Sequence, residues 1–93
     1  MLLYIVVYDI TCDKRRKKIA DLLKGYGKRV QYSVFECVLP LPKYQELQHK
    51  LESRLNLAED NVRFYPLSQH TSAGIETWGI SLDITLPPGS IVV

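Results

Sequence analysis

Apolar and polar positions change their spacing several times along this chain, and each spacing predicts an element. Residues Leu2–Asp9, LLYIVVYD, form an unbroken apolar, β-branched and aromatic run that ends in one acid. That pattern predicts a central strand covered on both faces. Asp13 is placed as an N-cap for a helix over residues 14–26, with Gly25 and Gly27 available to stop it. Residues 29–39, RVQYSVFECVL, read as strand, either one long strand or two short ones broken near Tyr32 and Ser33. Pro42 suits a first helical position, and Tyr44, Leu47, Leu51 and Leu55 recur at helical spacing through a second helix that Asn56 is expected to close. Residues 61–68, NVRFYPLS, predict a strand, with Pro66 placing it at an edge or marking its end. The polar QHTSAG that follows reads as a loop. The clearest period of two comes next: Trp78, Ile80, Leu82, Ile84 and Leu86 alternate with smaller or polar residues, before PPG and the apolar SIVV.

Strands alternating with two helices in 93 residues predict an α+β, ferredoxin-like sandwich: an antiparallel sheet with both helices packed on one face. The whole of 1–93 is expected to be one domain, with a core of about 1–68. The last strand and tail, about 75–93, are then left to pair with a neighbour's sheet edge in a symmetric homodimer. A chain this short buries only a modest core, so a second subunit would help it. The apolar opening lacks a basic flank and is too short for a secretory segment or a membrane span, which places the protein in the cytoplasm. Cys12 and Cys37 have no metal-ligand or disulfide-framework spacing and are expected to be thiols in a loop and the core.

Charge changes this picture more than composition does. The formal net charge is +2, yet residues 1–29 carry eight Lys/Arg against three acids and residues 30–93 carry four against seven. One end of the fold is therefore cationic, the footprint of a polyanion ligand. The cations are concentrated in Lys14, Arg15, Arg16, Lys17 and Lys18. Helical spacing puts Lys14, Lys17, Lys18, Asp21, Lys24 and Lys28 on a solvated face. Arg15 and Arg16 fall on the other face with Ile19, Leu22, Leu23 and Tyr26. Cations in a helix's first turn oppose the macrodipole, so phosphate binding is the function that recommends them. Both arginines are expected to reach toward Asp9, which either caps the turn or serves as a lone functional carboxylate. Magnesium is held by one or two carboxylates together with waters and substrate phosphates, so two Asp9 residues meeting across a two-fold axis would make a fuller site. Gln31 and Ser33 are candidates to face a phosphate. Phe35 is read as core rather than a base-stacking platform, Tyr4, Tyr8 and Tyr32 need no nucleic acid to explain them, and His49 and His70 stand apart from any cluster.

The segments YIVVYDIT, then DKRRKK opening the helix, then GKRVQYSVFEC and later VRFYPL, stand in one order from Leu2 to about Leu67. In that order they resemble the CRISPR-associated protein two (Cas-two) family. The resemblance implies a ferredoxin-like dimer acting in spacer acquisition, as a magnesium-dependent (or manganese-dependent) endonuclease on RNA or DNA. It implies that Asp9 is the catalytic, metal-binding acid, supported by Arg16, Arg29, Ser33 and Phe35. Lys18 stands where some relatives carry arginine, keeping the charge without the guanidinium fork. The resemblance also implies another class of function: a non-catalytic adapter that holds duplex DNA through residues 14–18 and Arg29 between integrase subunits of the Cas-one family.

Overall fold

The apolar run at the start of the chain becomes a strand with a neighbour on each side. The computed structural model of the chain describes residues 1–79. Its elements are β1 (Leu2–Asp9), α1 (Asp13–Lys24), β2 (Lys28–Gln31), β3 (Val34–Leu39), α2 (Leu41–Arg54), β4 (Asn61–Leu67) and α3 (Gln69–Ala73). They form a four-stranded sheet in the order β2-β3-β1-β4, in which every neighbouring pair is antiparallel. This is the α+β, ferredoxin-like arrangement that the alternation of strands and helices predicts.

Both long helices pack on one face. Tyr4, Val6 and Tyr8 of β1 and Phe35, Cys37 and Leu39 of β3 are buried there against Ile19 and Leu23 of α1 and Leu47 and Leu51 of α2. Burying a leucine fully contributes about 1.5–3 kcal/mol, so Leu47 and Leu51 account for much of the docking of α2. Tyr44 of α2 adds a ring stacked on Tyr4 at 3.7 Å between centroids. The expectation that β1 is covered on both faces is not met in the single chain. Leu3, Ile5 and Val7 point the other way and are only half-buried, and Val38, opposite Leu3, is 60 % exposed.

The choice left open for residues 29–39 falls on two short strands, joined by a turn at Tyr32 and Ser33, with a register irregularity between Arg29 and Gln31. Gly27 lets this hairpin approach the sheet: a Cβ there would lie 2.5 Å from Cys37 Sγ and 2.9 Å from its Cα. Cys12, rather than Asp13, is the N-cap of α1, and the helix ends at Lys24, short of Tyr26. Asp13 becomes the first helical residue, where an acid still complements the macrodipole. Pro42 lies in the first turn of α2, but the C-cap is Leu55 and not Asn56. Asn56 instead organises the next turn, accepting the Ala58 N–H on its side chain and the Glu59 and Asp60 N–H groups on its carbonyl.

β4 is an edge strand, as Pro66 suggested, with that proline opposite Tyr4. QHTSAG is not a plain loop: Ser68 caps the short helix α3 by accepting the Thr71 N–H at 3.1 Å. Five residues are too few to carry a helical apolar period, which is why the pattern hid it. Residues 75–79 carry no helix or strand, and the alternation from Ile80 onward lies outside the described residues. No helix among the described residues is long and apolar enough to cross a membrane.

Candidate functional site

Strand alternation decides where Asp9 goes. Tyr4, Val6 and Tyr8 face the helices, so Leu3, Ile5, Val7 and Asp9 line the opposite face. Asp9 closes β1 opposite Asn61 of β4, is exposed, and makes no side-chain hydrogen bond or ion pair with the described residues. An acid kept merely to cap a turn would show an N–H partner. Among the described residues Asp9 is instead an unpartnered carboxylate at the rim of an apolar sheet face.

The expected reach of Arg15 and Arg16 toward Asp9 does not occur. Arg15 turns to the loop before β4, donating through Nε to Asp60 Oδ2 at 2.8 Å and through NH2 to Asp60 Oδ1 at 3.1 Å and Glu59 Oε2 at 2.8 Å. The pairing holds the Asp60 carboxyl below the ordinary carboxylate range and the Arg15 guanidinium above its own. Arg16 donates to the Ile10 carbonyl at 2.9 Å and pairs with Asp13. It bridges the link between β1 and α1 and stays 43 % exposed. Lys14, Lys17 and Lys18 are exposed and enter no ion pair with the described residues. The first turns of α1 thus present free cations beside a half-exposed arginine.

A second cation reaches the same region from the hairpin. The Arg29 guanidinium lies over the Phe35 ring at 5.3 Å, with NH2 3.5 Å from the Tyr8 hydroxyl, which itself donates to the Tyr32 carbonyl at 3.0 Å. Phe35 is fully buried, so it acts on the site only by holding Arg29. Arg29 Nε is buried with no hydrogen-bond partner among the described residues; the side chain is placed by its aromatic neighbours rather than by a full set of acceptors. Arg16, Lys17, Lys24, Arg29, Tyr32 and Ser33, with Asp13 and Asp21, line one open groove of about 410 Å³ between α1 and the β2–β3 turn. Ser33 therefore does share a surface with the cations, whereas Gln31 is absent from the groove.

Asp9 itself does not line this groove, and no group of three His, Cys, Asp or Glu close enough to hold an ion exists among the described residues. A single exposed carboxylate fits half of a magnesium site, completed by a second carboxylate, water and phosphate. The cysteines do not enter it. Cys37 is buried and its thiol is pushed up to about 11 by desolvation. Cys12 forms no capping hydrogen bond, yet the nearby N–H of Arg15 draws its thiol below the ordinary value.

Matching the whole sequence against protein families finds the one described as CRISPR associated protein Cas2, over residues 1–74. The chain belongs to the Cas2 family. It is 55 % identical to a CRISPR-associated endoribonuclease Cas2 of Synechocystis, with all of both chains covered. It is 48 % identical to a CRISPR-associated endonuclease Cas2 of Thermus thermophilus, over 71 % of this chain and 73 % of that one. Among solved structures it is similar to Streptococcus pyogenes Cas2, at a TM-score of 0.73 and 33 % identity over 83 % of this chain and 99 % of that one. A chain of a partial Cas6-RT-Cas1–Cas2 complex matches with a TM-score of 0.73 and 33 % identity, both chains being fully covered.

Two features of this Cas2 site escaped the sequence. Asp60 lies 45 residues from Arg15, a separation at which no periodicity links a charge to its partner. Tyr8 lies in the core, but its hydroxyl also organises the hairpin turn beside Arg29. A polar atom ending an otherwise apolar strand side was the available signal.

Proposed function

We propose that this chain is a metal-dependent endonuclease of CRISPR spacer acquisition, working in the cytoplasm as a symmetric homodimer on the phosphodiester bonds of RNA or DNA. The observation that carries the reading is Asp9: an exposed carboxylate with no partner among the described residues, closing the central strand on the same face as Leu3, Ile5 and Val7. A face this apolar is what a second subunit would cover. Packing two copies about a two-fold axis would bring two Asp9 carboxylates to one interface. In the single-domain reading of 1–93, the segment beyond the core, about 75–93, serves that pairing.

The Asp9 carboxylates of the two subunits would then hold magnesium or manganese, which supplies an activated water and offsets charge developing on the phosphate. The chain's own residues do the remaining work. Lys14, Lys17 and Lys18 neutralise backbone phosphates on the exposed side of α1, where the helix N-terminus adds its own attraction for anions. Arg16 and Arg29 present terminal guanidinium nitrogens across the groove and fix the phosphate to be cut. Ser33 offers a hydroxyl to a phosphate oxygen, and Phe35 keeps Arg29 in place. The partner for integration is an integrase of the Cas-one family, consistent with the matching chain described within a Cas1–Cas2 complex.

The test is cleavage of labelled single-stranded RNA and duplex DNA, with magnesium or with chelator, by wild type and Asp9→Asn side by side. Magnesium-dependent cutting that is lost in Asp9→Asn while binding persists is the expected result. Equal activity in both proteins identifies a contaminant. Duplex binding without cutting by either would establish an adapter instead.

A further inference from the structure

One residue of the basic run behaves unlike the others. Arg15 is held at three points: a fork onto both oxygens of Asp60 and a third bond to Glu59. The Asp60 side chain has no exposed surface, and its Oδ2 also accepts the Asn56 N–H at 2.9 Å. The turn behind it is braced by the Asn56 carbonyl and side chain. To turn this fork onto a phosphate, Arg15 would have to leave Asp60, whose enclosed carboxylate would keep only the Asn56 N–H among the described residues, a strongly unfavourable exchange.

Both ends of the pair stand next to the site. Arg15 lies between Lys14 and Arg16 in the first turn of α1. Asp60 immediately precedes Asn61, the residue opposite Asp9 in the β1–β4 pairing. The chain between Asp9 and α1 is a short segment without regular structure, and the fork spans that gap from the other side. We infer that Arg15 and Asp60 form a clamp that positions the basic first turn of α1 against Asp9, and that Arg15 itself does not touch nucleic acid. The inference rests on the reading of Asp9 and the basic face as a nuclease site.

The experiment compares wild type, Arg15→Gln, Arg15→Lys, Asp60→Asn and the Arg15→Gln/Asp60→Asn pair with Lys17→Gln, a variant that removes a free cation. Binding of a labelled single-stranded RNA is followed against salt concentration without magnesium. Cleavage is followed with magnesium for kcat and KM, and urea unfolding verifies that each protein is folded. Lys17→Gln is expected to lower the salt slope by about 0.7, whereas Arg15→Gln leaves it unchanged. Misplacing reacting groups by about 1 Å costs about 100-fold in rate. Each clamp variant is therefore expected to lose about tenfold or more in kcat, with KM held within about twofold. The pair should lose no more than either single variant.

Arg15→Lys keeps the charge but not the fork, so a clamp predicts reduced kcat and a direct phosphate ligand predicts near-normal kcat. A slope lowered in Arg15→Gln as in Lys17→Gln overturns the inference, as do folded variants with wild-type kcat. A wild type that neither binds nor cuts overturns the functional reading and the inference with it. One that binds without cutting overturns the nuclease reading alone and leaves the salt slopes to decide whether Arg15 touches nucleic acid.

Discussion

Asp9 and Asp60 show how two carboxylates of one protein come to opposite employment. Asp9 sits on the open face with no partner among the described residues, while Asp60 is enclosed by Arg15 and the Asn56 N–H. The sign of the resulting pH dependence follows. Pairing with Arg15 keeps the folded Asp60 below its ordinary value of 3.8, and the Tyr26 hydroxyl, then Lys43 and Lys50, keep Glu46 below 4.5. A lowered carboxylate contributes stability that is complete above the unfolded value and is lost as pH falls through the folded one. Urea midpoints should therefore hold from about pH 7 to about pH 5 and decline below about pH 4.5. Asp60→Asn should be less stable at neutral pH and show a shallower acid decline. The thiols separate in the same way. Cys12 is partly exposed with its thiol favoured to ionise, while Cys37 is buried and pushed up. A thiol reagent should label one cysteine per native chain, Cys12, and reach Cys37 only after denaturation. At this scale the sequence shows Asp9 as a strand-ending acid and Arg16 as a cation of the following helix, while Arg29 enters only through the family resemblance. The partners of Arg15 were not, because a side-chain pair 45 residues apart leaves no local trace.

The most cationic element, α1, is poorly designed for its own stability. Lys14, Arg15, Arg16, Lys17 and Lys18 crowd the start of α1, where the helix dipole disfavours cations by about 0.3–1 kcal/mol each. Asp13 and the Arg15–Asp60 pair offset part of that cost, and Lys14, Lys17 and Lys18 pair with no acid among the described residues. Replacing these three lysines with glutamine should move two measurements in opposite directions. Nucleic-acid affinity should fall and its salt slope decrease by about 0.7–0.9 for each phosphate that is no longer neutralised, while the urea midpoint stays level or rises. The hairpin of β2 and β3 shows what spacing alone leaves undecided. RVQYSVFECVL is equally consistent with one strand or two. It is broken because Tyr8 donates to the turn twice, through its hydroxyl to the Tyr32 carbonyl and through its backbone N–H to the Ser33 carbonyl. Those bonds come from β1, more than twenty residues earlier. Helix ends shift for a related reason: a cap such as Cys12 is chosen by backbone geometry at the exit from β1, and not by the better capping side chain beside it.

For the molecule as a whole, the informative surface is the sheet face turned away from α1 and α2. Leu3, Ile5 and Val7 line it together with Val38, and Asp9 stands at its rim. Val38→Lys adds a charge at a position already 60 % exposed, so it should leave the single chain folded while weakening association. If the proposed homodimer forms on this face, sedimentation should show a shift from dimer toward monomer, and magnesium-dependent cleavage should fall in step. The sequence by itself determined the order of the main strands and helices, the ferredoxin-like class, the family and the acid at the end of the first strand. It could do so because apolar period, capping residues and collinear motifs are local properties of the chain. Only the tertiary structure decided that Arg15 belongs to Asp60, that Arg16 bonds the Ile10 carbonyl, that Arg29 rests on Phe35, and that Asp9 faces away from α1 and α2. Those outcomes depend on which strands become neighbours and in what register, and a one-residue change of register would send every side chain of β1 to the opposite face.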